Sequence, residues 1–203
     1  MPVFAFFCQT LKKAYNVGAF LGGAMAKYKS DLTDIFFNLF DVLETHKYEY
    51  GYGESDLKDI VQQFDKFIAN EIFPTRSPSD EIGVKLTDKG VVVPEMLHKP
   101  KQLFYENGWF AVGLEEKWNG MPLPTAIETT LISSSNAGNV SFSMYPGLSK
   151  SAANCLLETA SEELCQKLIP KMVSGEWGGT MCLTEPGAGS DVGALRTTAT
   201  PTG

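Results

Sequence analysis

The segment over residues 54–72 constrains the fold most strongly, because its apolar residues recur at intervals of three or four positions. The stripe consists of Leu57, Ile60, Val61, Phe64, Phe67, Ile68 and Ile72. This spacing places the stripe on one face of an α-helix, and such a face is stable when other elements cover it. The segment therefore predicts a helical core, with Ser55 capping the helix N-terminus and Phe73-Pro74 ending the helix.

Five further segments predict helices that can share this core. They cover residues 31–44, 94–107, 125–136, 140–159 and 161–173. Gly108 suits a helix C-cap and Ser161 a helix N-cap, while Pro146-Gly147 predicts a kink or the true start of its helix. Residues 74–93 hold many Pro, Ser, Asp and Gly residues and predict a long surface connection. Within it, residues 91–93 are either a strand or the entry into the next helix.

Composition excludes several classes of protein. Apolar residues make up 43% and charged residues 20% of the 203 residues, as in ordinary soluble globular proteins. The net charge of −7 comes without a basic stripe, so we expect no nucleic-acid partner. The four cysteines, Cys8, Cys155, Cys165 and Cys182, form no C-x-x-C pair, and only two histidines could join them. We therefore expect no metal site and no disulfide framework, but reduced thiols in a cytoplasmic protein.

The first 26 residues form an extension with two interpretations. Lys12 and Lys13 precede an apolar stretch over residues 14–26 that ends in Ala-Met-Ala, as in a signal peptide. The stretch is too short to span a bilayer, and we expect no membrane partner. The favoured interpretation is that translation starts at Met25 and that the preceding residues are misassigned or disordered.

A glycine-rich segment, MCLTEPGAGSDVGALRT over residues 181–197, follows the last helix. Residues 180–184 predict a strand, so the pattern changes from helix to strand at about residue 178. Gly187 and Gly189 allow a positive φ and expose N–H groups, and Thr184 and Ser190 add hydroxyl donors. Such a loop suits an anion or the carbonyl groups of a flat ring, although a plain turn is the alternative. The glycine spacing matches neither the dinucleotide fingerprint nor a Walker loop.

Residues 182–194, CLTEPGAGSDVGA, resemble the first signature of the acyl-CoA dehydrogenase family. Residues 28–44 and 141–149 resemble the longer bacterial branch of that family, which includes 3-methylmercaptopropionyl-CoA dehydrogenases. The resemblance covers residues 27–203. It implies a mainly α fold: an N-terminal helical domain of about six helices over residues 27–177. The first strand of a truncated middle β-domain would follow over residues 178–203.

The resemblance also implies the α,β-dehydrogenation of acyl-CoA thioesters and an FAD cofactor in the complete family protein, with weak or absent FAD binding by this chain alone. The residues that would contact FAD are Met181, Cys182, Leu183, Thr184, Gly189 and Ser190. Thr184 would donate its hydroxyl to the flavin edge on which negative charge develops. The residues that would contact the substrate are Ser190, Ser141, Met144 and Tyr145. Residues 141–145 are plain helical core in the alternative interpretation.

The resemblance assigns no catalytic residue to this chain. Glu185 would be structural, and the base would come from a C-terminal helical domain. We therefore expect the N-terminal part of an enzyme, inactive alone, with residues 185–203 poorly ordered or paired with another chain. The implied partners are an acyl-CoA, an electron-transfer acceptor, and a complementing C-terminal fragment or a second copy. The alternatives are a truncated non-enzymatic helical module that acts through a partner chain, and a CoA-binding or other small-ligand protein without redox chemistry.

Overall fold

The computed structural model describes residues 28–48 and 50–201, so the expectation for residues 1–26 lies outside the described residues. The described part is mostly helical, as predicted. Its α-helices are α1 (Leu32–Phe36), α2 (Glu54–Phe67), α3 (Arg76–Ile82), α4 (His98–Glu106), α5 (Thr125–Thr159) and α6 (Glu162–Val173). π-Helical turns extend α1 over Phe37–Val42 and α2 over Ile68–Ile72. Strands β1 (Lys85–Thr87) and β2 (Gly90–Val92) pair antiparallel in a hairpin.

Helix α2 buries the stripe that predicted it. Six of its seven apolar residues are buried, and Ile60 packs against the same core at partial exposure. The predicted cap is wrong, because Ser55 lies inside the helix and is exposed. The carboxylate of Asp56 instead accepts a hydrogen bond from the Gly53 N–H at 2.9 Å. The helical run ends at Ile72 and a short 3₁₀ turn over Phe73–Thr75 follows, which confirms the predicted stop.

Helix α5 is two helices in line, with a break at Asn139. This residue has an extended backbone, with φ −159° and ψ 102°. Its side-chain oxygen accepts a hydrogen bond from the Phe142 N–H at 3.2 Å, which is the bond of a helix N-cap. The predicted division between residues 136 and 140 is therefore confirmed. The kink predicted at Pro146 is wrong, since the break lies seven residues earlier and Pro146 sits within the helical stretch.

Residues 74–93 are more regular than predicted. They contain α3 and the β1–β2 hairpin rather than a surface connection without structure. Pro78 is compatible with α3 because it lies in the first turn, where backbone N–H groups have no helical acceptor. Of the two interpretations for residues 91–93, the strand is confirmed for Val91 and Val92.

The core lies between α2, α4 and α5. Phe64 meets the indole of Trp109 edge-on, with ring centroids 4.8 Å apart, and Phe104 meets Phe142 of α5 in the same manner at 6.0 Å. Helix α4 leads to Gly108, whose φ of +74° places it in the left-handed conformation of a C-cap, as predicted. The predicted cap of α6 is also confirmed, since Ser161 accepts a hydrogen bond from the Leu164 N–H at 3.3 Å. None of the helices in the described ranges is both long and apolar enough to cross a bilayer.

The strand predicted over residues 180–184 is wrong for this structure. These residues have no regular secondary structure, and the helical part ends before them at Val173. A strand needs a neighbouring strand to pair its N–H and C=O groups, and no strand in the described ranges pairs with this segment. The only regular turn of helix beyond it is the 3₁₀ turn over Val192–Ala194, counted over the described residues.

Candidate functional site

The 180–190 loop contains all the residues predicted to contact a cofactor. Its centre is a tight turn in which the Glu185 N–H donates to the Ala188 carbonyl and the Ala188 N–H donates to the Glu185 carbonyl, both at 3.1 Å. Pro186 and Gly187 occupy the two central positions, and Ala188 is buried. Pro186 at the first central position has the φ that such a turn requires.

The glycines of this loop differ from the expectation. Neither Gly187 nor Gly189 has a positive φ, so the left-handed conformation that glycine allows is used at neither position. The turn between Glu185 and Ala188 closes without a left-handed residue. A Cβ atom added at either glycine would meet no atom within 4 Å. The backbone of this loop therefore has an open side.

Residues 181–184 present polar groups that the protein does not use. Their backbone N–H groups and the hydroxyls of Thr184 and Ser190 have no hydrogen-bond partner within residues 28–48 and 50–201. The side chains of Met181 and Leu183 are exposed as well. Free donors on an open backbone can bind the carbonyl and phosphate oxygens of a ligand. All six residues predicted to contact FAD are thus accessible on one continuous stretch of ten residues.

The carboxylate of Glu185 is hydrogen-bonded to residues 196–197, further along the same segment. Its carboxylate accepts hydrogen bonds from the Arg196 N–H at 2.9 Å, from the Thr197 N–H at 3.0 Å and from the Thr197 hydroxyl. The Thr197 hydroxyl and the two N–H groups hold the pKa of Glu185 below its usual range. A carboxylate with a lowered pKa is a weak proton acceptor. Its geometry suits the fixing of residues 196–197 on the turn.

Three of the four residues predicted to contact the substrate, Ser141, Met144 and Tyr145, lie on the outer face of α5, and the fourth, Ser190, lies in the 180–190 loop. Met144 is 61% and Tyr145 53% exposed, and Ser141 is exposed too. The core interpretation is therefore wrong for these side chains, although Phe142 between them is buried. The ammonium group of Lys101 lies 5.0 Å from the ring centroid of Tyr145.

A cavity of about 430 Å³ lies beside this face, and no sequence signal had marked it. Its apolar wall includes Phe104, Trp109, Phe110, Leu131, Met144 and Leu148. Of the predicted substrate residues only Met144 borders it; Ser141 and Tyr145 do not. Helices α4 and α5 and the turn over Trp109–Ala111 thus line an open pocket of the size that small ligands occupy.

Lys150 and Glu128 contribute charged groups to the wall of the cavity. The Lys150 ammonium donates to the Phe110 carbonyl at 3.1 Å and to the Val112 carbonyl, and it lies 3.8 Å from the Glu128 carboxylate. Burial lowers the pKa of Lys150, and Glu128 opposes that shift. Sequence could not identify this role, because Lys150 stands between two serines in a helix where an exposed lysine is equally ordinary. Within the described residues, no group of three or more His, Cys, Asp or Glu side chains could hold a metal ion.

Comparison with known proteins places these features in a family. Residues 54–176 match the family model described as acyl-CoA dehydrogenase, N-terminal domain. The chain belongs to the acyl-CoA dehydrogenase family. This confirms the family resemblance, although the signature segment over residues 182–194 lies beyond the matched range.

Relatives within the acyl-CoA dehydrogenase family match most of the chain. The 3-methylmercaptopropionyl-CoA dehydrogenase of Ruegeria pomeroyi is 30% identical over 179 residues, which cover 86% of this chain and 30% of the relative. A broad-specificity linear acyl-CoA dehydrogenase of Mycobacterium tuberculosis is 34% identical over 183 residues, with the same coverage of 86% and 30%. The chain therefore spans about 30% of the length of these curated relatives.

Solved structures of the family share the fold. A Bacillus anthracis acyl-CoA dehydrogenase complexed with FAD matches with a TM-score of 0.57 at 19% identity, covering 75% of this chain and 24% of that one. Butyryl-CoA dehydrogenase from Megasphaera elsdenii matches with a TM-score of 0.55 at 21% identity, covering 70% and 35%. At this identity the likeness shows the fold alone, which is that of the N-terminal helical domain.

Proposed function

We propose that this chain contributes the N-terminal helical domain and the FAD-contacting loop of an FAD-dependent acyl-CoA dehydrogenase. The reaction is the α,β-dehydrogenation of an acyl-CoA thioester, with an electron-transfer acceptor as the oxidising partner. The observation that carries the proposal is the set of unpaired donors over residues 181–184, in a loop of the family's signature sequence. The division into a helical domain, 27–177, and a following segment, 178–203, is part of the same proposal.

The residues of the loop fit a flavin cofactor. In the proposal, the backbone groups of Met181, Cys182 and Leu183 bind the polar edge of the ring, and the Thr184 hydroxyl donates to the oxygen on that edge. Gly189 and Ser190 bind the cofactor where its phosphate chain begins, and the lack of a Cβ at Gly189 leaves the backbone accessible. When bound, FAD accepts the hydride that leaves the β-carbon of the substrate. A fixed donor such as Thr184 stabilises negative charge that develops near it.

The substrate side of the proposal rests on α5. Ser190, Ser141, Met144 and Tyr145 would contact the acyl-CoA, with Met144 at the border of the cavity. The aromatic and aliphatic wall of that cavity suits the apolar chain of an acyl group. Its volume of about 430 Å³ is at the small end of the range for ligand pockets.

We assign no catalytic base among the described residues. Glu185 directly follows Thr184 in the sequence, and its three hydrogen bonds and lowered pKa make it a poor base. The base is expected from the C-terminal helical domain that the family resemblance implies. The proposal therefore predicts that the chain alone does not oxidise an acyl-CoA. A cytoplasmic location stays a prediction; Cys155, Cys165 and Cys182 are unpaired thiols.

A second candidate function is that of a helical module which acts through a partner chain. The observation that favours it is a row of exposed apolar side chains on α5, at Val140, Met144 and Leu148. Residues spaced by four lie on one helix face, so the row forms a continuous apolar surface. A protein partner would cover this surface without any need for FAD.

Titration of the purified chain with FAD separates these functions. Quenching of flavin fluorescence gives the Kd, and Thr184→Ala should raise it about tenfold, because one hydrogen bond to a polar ligand is worth about 1–1.5 kcal/mol. Thr180→Ala is the matched control, since Thr180 is exposed and outside the proposed contacts, and its Kd should stay within about twofold. A chain that does not bind FAD, or a Thr184→Ala variant that binds as tightly as the wild type, would contradict the proposal. The first outcome would favour the module.

A further inference from the structure

Within the described residues, one hydrogen bond joins the segment that contains the 180–190 loop to α5. The Gly179 N–H donates to the Ser149 hydroxyl oxygen at 3.0 Å. Beyond this bond, residues 180–201 hydrogen-bond only to one another, within the described ranges. The position of the loop relative to α5 is therefore set where Gly179 meets that helix.

The contact at Gly179 is close enough to exclude a side chain. A Cβ atom at Gly179 would lie 2.4 Å from the Cβ of Ala152 and 3.4 Å from the Ser149 Cα. At Gly178, a Cβ would lie 3.3 Å from the Ser149 hydroxyl oxygen. Two adjacent glycines thus allow the backbone to lie directly on one turn of α5, with Ser149 beneath it.

Ser149 is built to accept this hydrogen bond. It is only 2% exposed, and its own hydroxyl donates to the Tyr145 carbonyl one turn earlier at 3.3 Å. That bond directs the hydroxyl hydrogen along the helix and leaves oxygen lone pairs for the Gly179 N–H. The segment before the contact is fixed as well, because a Cβ at Gly175 would lie 2.7 Å from the ring of Tyr105.

We propose that Ser149 is a positioning residue, which fixes the 180–190 loop on α5 in the place where the loop can bind FAD. This inference rests on the proposed function, since Ser149 acts through Gly179 and touches none of the proposed cofactor contacts. Ser149 also donates to the carbonyl of Tyr145, a proposed substrate contact one turn earlier on the same helix. Removal of the hydroxyl leaves the helices intact and frees the loop from its one hydrogen-bonded link.

The test combines amide hydrogen exchange with FAD titration on the full chain. In Ser149→Ala, the Gly179 amide should exchange about five- to tenfold faster, the value for one lost hydrogen bond, while amides of α5 keep their rates. The Kd for FAD should rise by a similar factor, and the absorption band of bound FAD should shift at saturation. Ser133→Ala is the control: Ser133 is an exposed serine of the same helix, and this variant should change none of the three readouts. A urea unfolding midpoint for each variant verifies that the helical part is folded.

The outcomes separate the positioning role from the proposed function. Unchanged exchange at Gly179 overturns the positioning role. Faster exchange with an unchanged Kd and flavin spectrum also overturns it, and leaves the proposed function standing if the wild type binds FAD. A wild type that does not bind FAD overturns the proposed function and with it any role of Ser149 toward FAD. Exchange at Gly179 then still reports whether Ser149 anchors the loop. Faster exchange, weaker binding and a shifted flavin band together support the inference.

Discussion

Replacement of Asn139 by alanine tests why α5 is broken where it is. Asn139 is 2% exposed, and its amide group hydrogen-bonds to three neighbours. The oxygen caps the second half of α5 through the Phe142 N–H at 3.2 Å, and the nitrogen donates to the hydroxyl oxygens of Thr75 at 3.0 Å and Ser79 at 3.4 Å. Alanine removes all three bonds, while the extended backbone at residue 139 remains compatible with an ordinary side chain.

The expected loss of stability depends on which donors and acceptors remain without a partner after each hydrogen bond is removed. Loss of a helix N-cap costs about 1 kcal/mol, with a further penalty where the freed N–H is buried, as it is at Phe142. Loss of the donor to Thr75 and Ser79 costs about 1 kcal/mol more, since both hydroxyls still donate to backbone carbonyls, of Ile72 and Arg76, and are not orphaned. We expect the free energy of unfolding to fall by about 2–3 kcal/mol in Asn139→Ala.

Urea unfolding followed by circular dichroism measures this change. With an m value of about 2 kcal/mol/M, the midpoint should fall by about 1–1.5 M at unchanged m. Asn154→Ala is the matched control, because Asn154 is exposed in the same helix, and its effect should stay within about 0.5 kcal/mol. A double-mutant cycle with Thr75→Val should recover a coupling energy of about 1 kcal/mol. If Asn139→Ala unfolds at the wild-type midpoint, the break in α5 does not depend on this cap and the reasoning is wrong.

Two further predictions concern charged groups. Lys150→Met should lower the free energy of unfolding by about 2–3 kcal/mol, because the carbonyls of the buried residues Phe110 and Val112 lose their hydrogen-bond donor. Urea unfolding measures this free energy. A change below about 0.5 kcal/mol would show that Lys150 does not stabilise the turn over residues 109–112. Glu185 has a lowered pKa in the folded chain. The hydrogen bonds from Thr197 to its carboxylate are therefore fully formed above the ordinary glutamate pKa of about 4.3, and they are lost as the pH falls through the pKa of the folded chain. The Thr197 amide resonance in NMR should therefore titrate with a midpoint below about 4.3, and a midpoint at or above that value would refute the assigned hydrogen bonds.

Helix positions could be predicted from sequence wherever a local rule decides them. The stripe of α2 and the cap at Ser161 depend on spacing and on one side chain, and both are confirmed. The break in α5 was predicted from the Asn136-Ala137-Gly138 run, but the choice of Asn139 over Pro146 could not be, because it depends on Thr75, which is 64 positions away. The prediction of a strand at residues 180–184 was wrong because local sequence does not decide strand formation. The residues suit a strand, but a strand also needs a partner strand, and the described residues provide none for this segment.

The glycines after α6 show the same limit at the candidate site, where sequence cannot separate two kinds of glycine. Gly175 and Gly179 are required by the chain's own packing, because a Cβ would collide with Tyr105 at the first and Ala152 at the second. Gly187 needs no such explanation, since a Cβ there meets nothing within 4 Å and its φ is not positive. The first kind of glycine places the loop and the second kind leaves its backbone open. A ligand that binds through main-chain N–H groups needs both, a fixed backbone and an accessible one, and the chain supplies them within fifteen residues of each other.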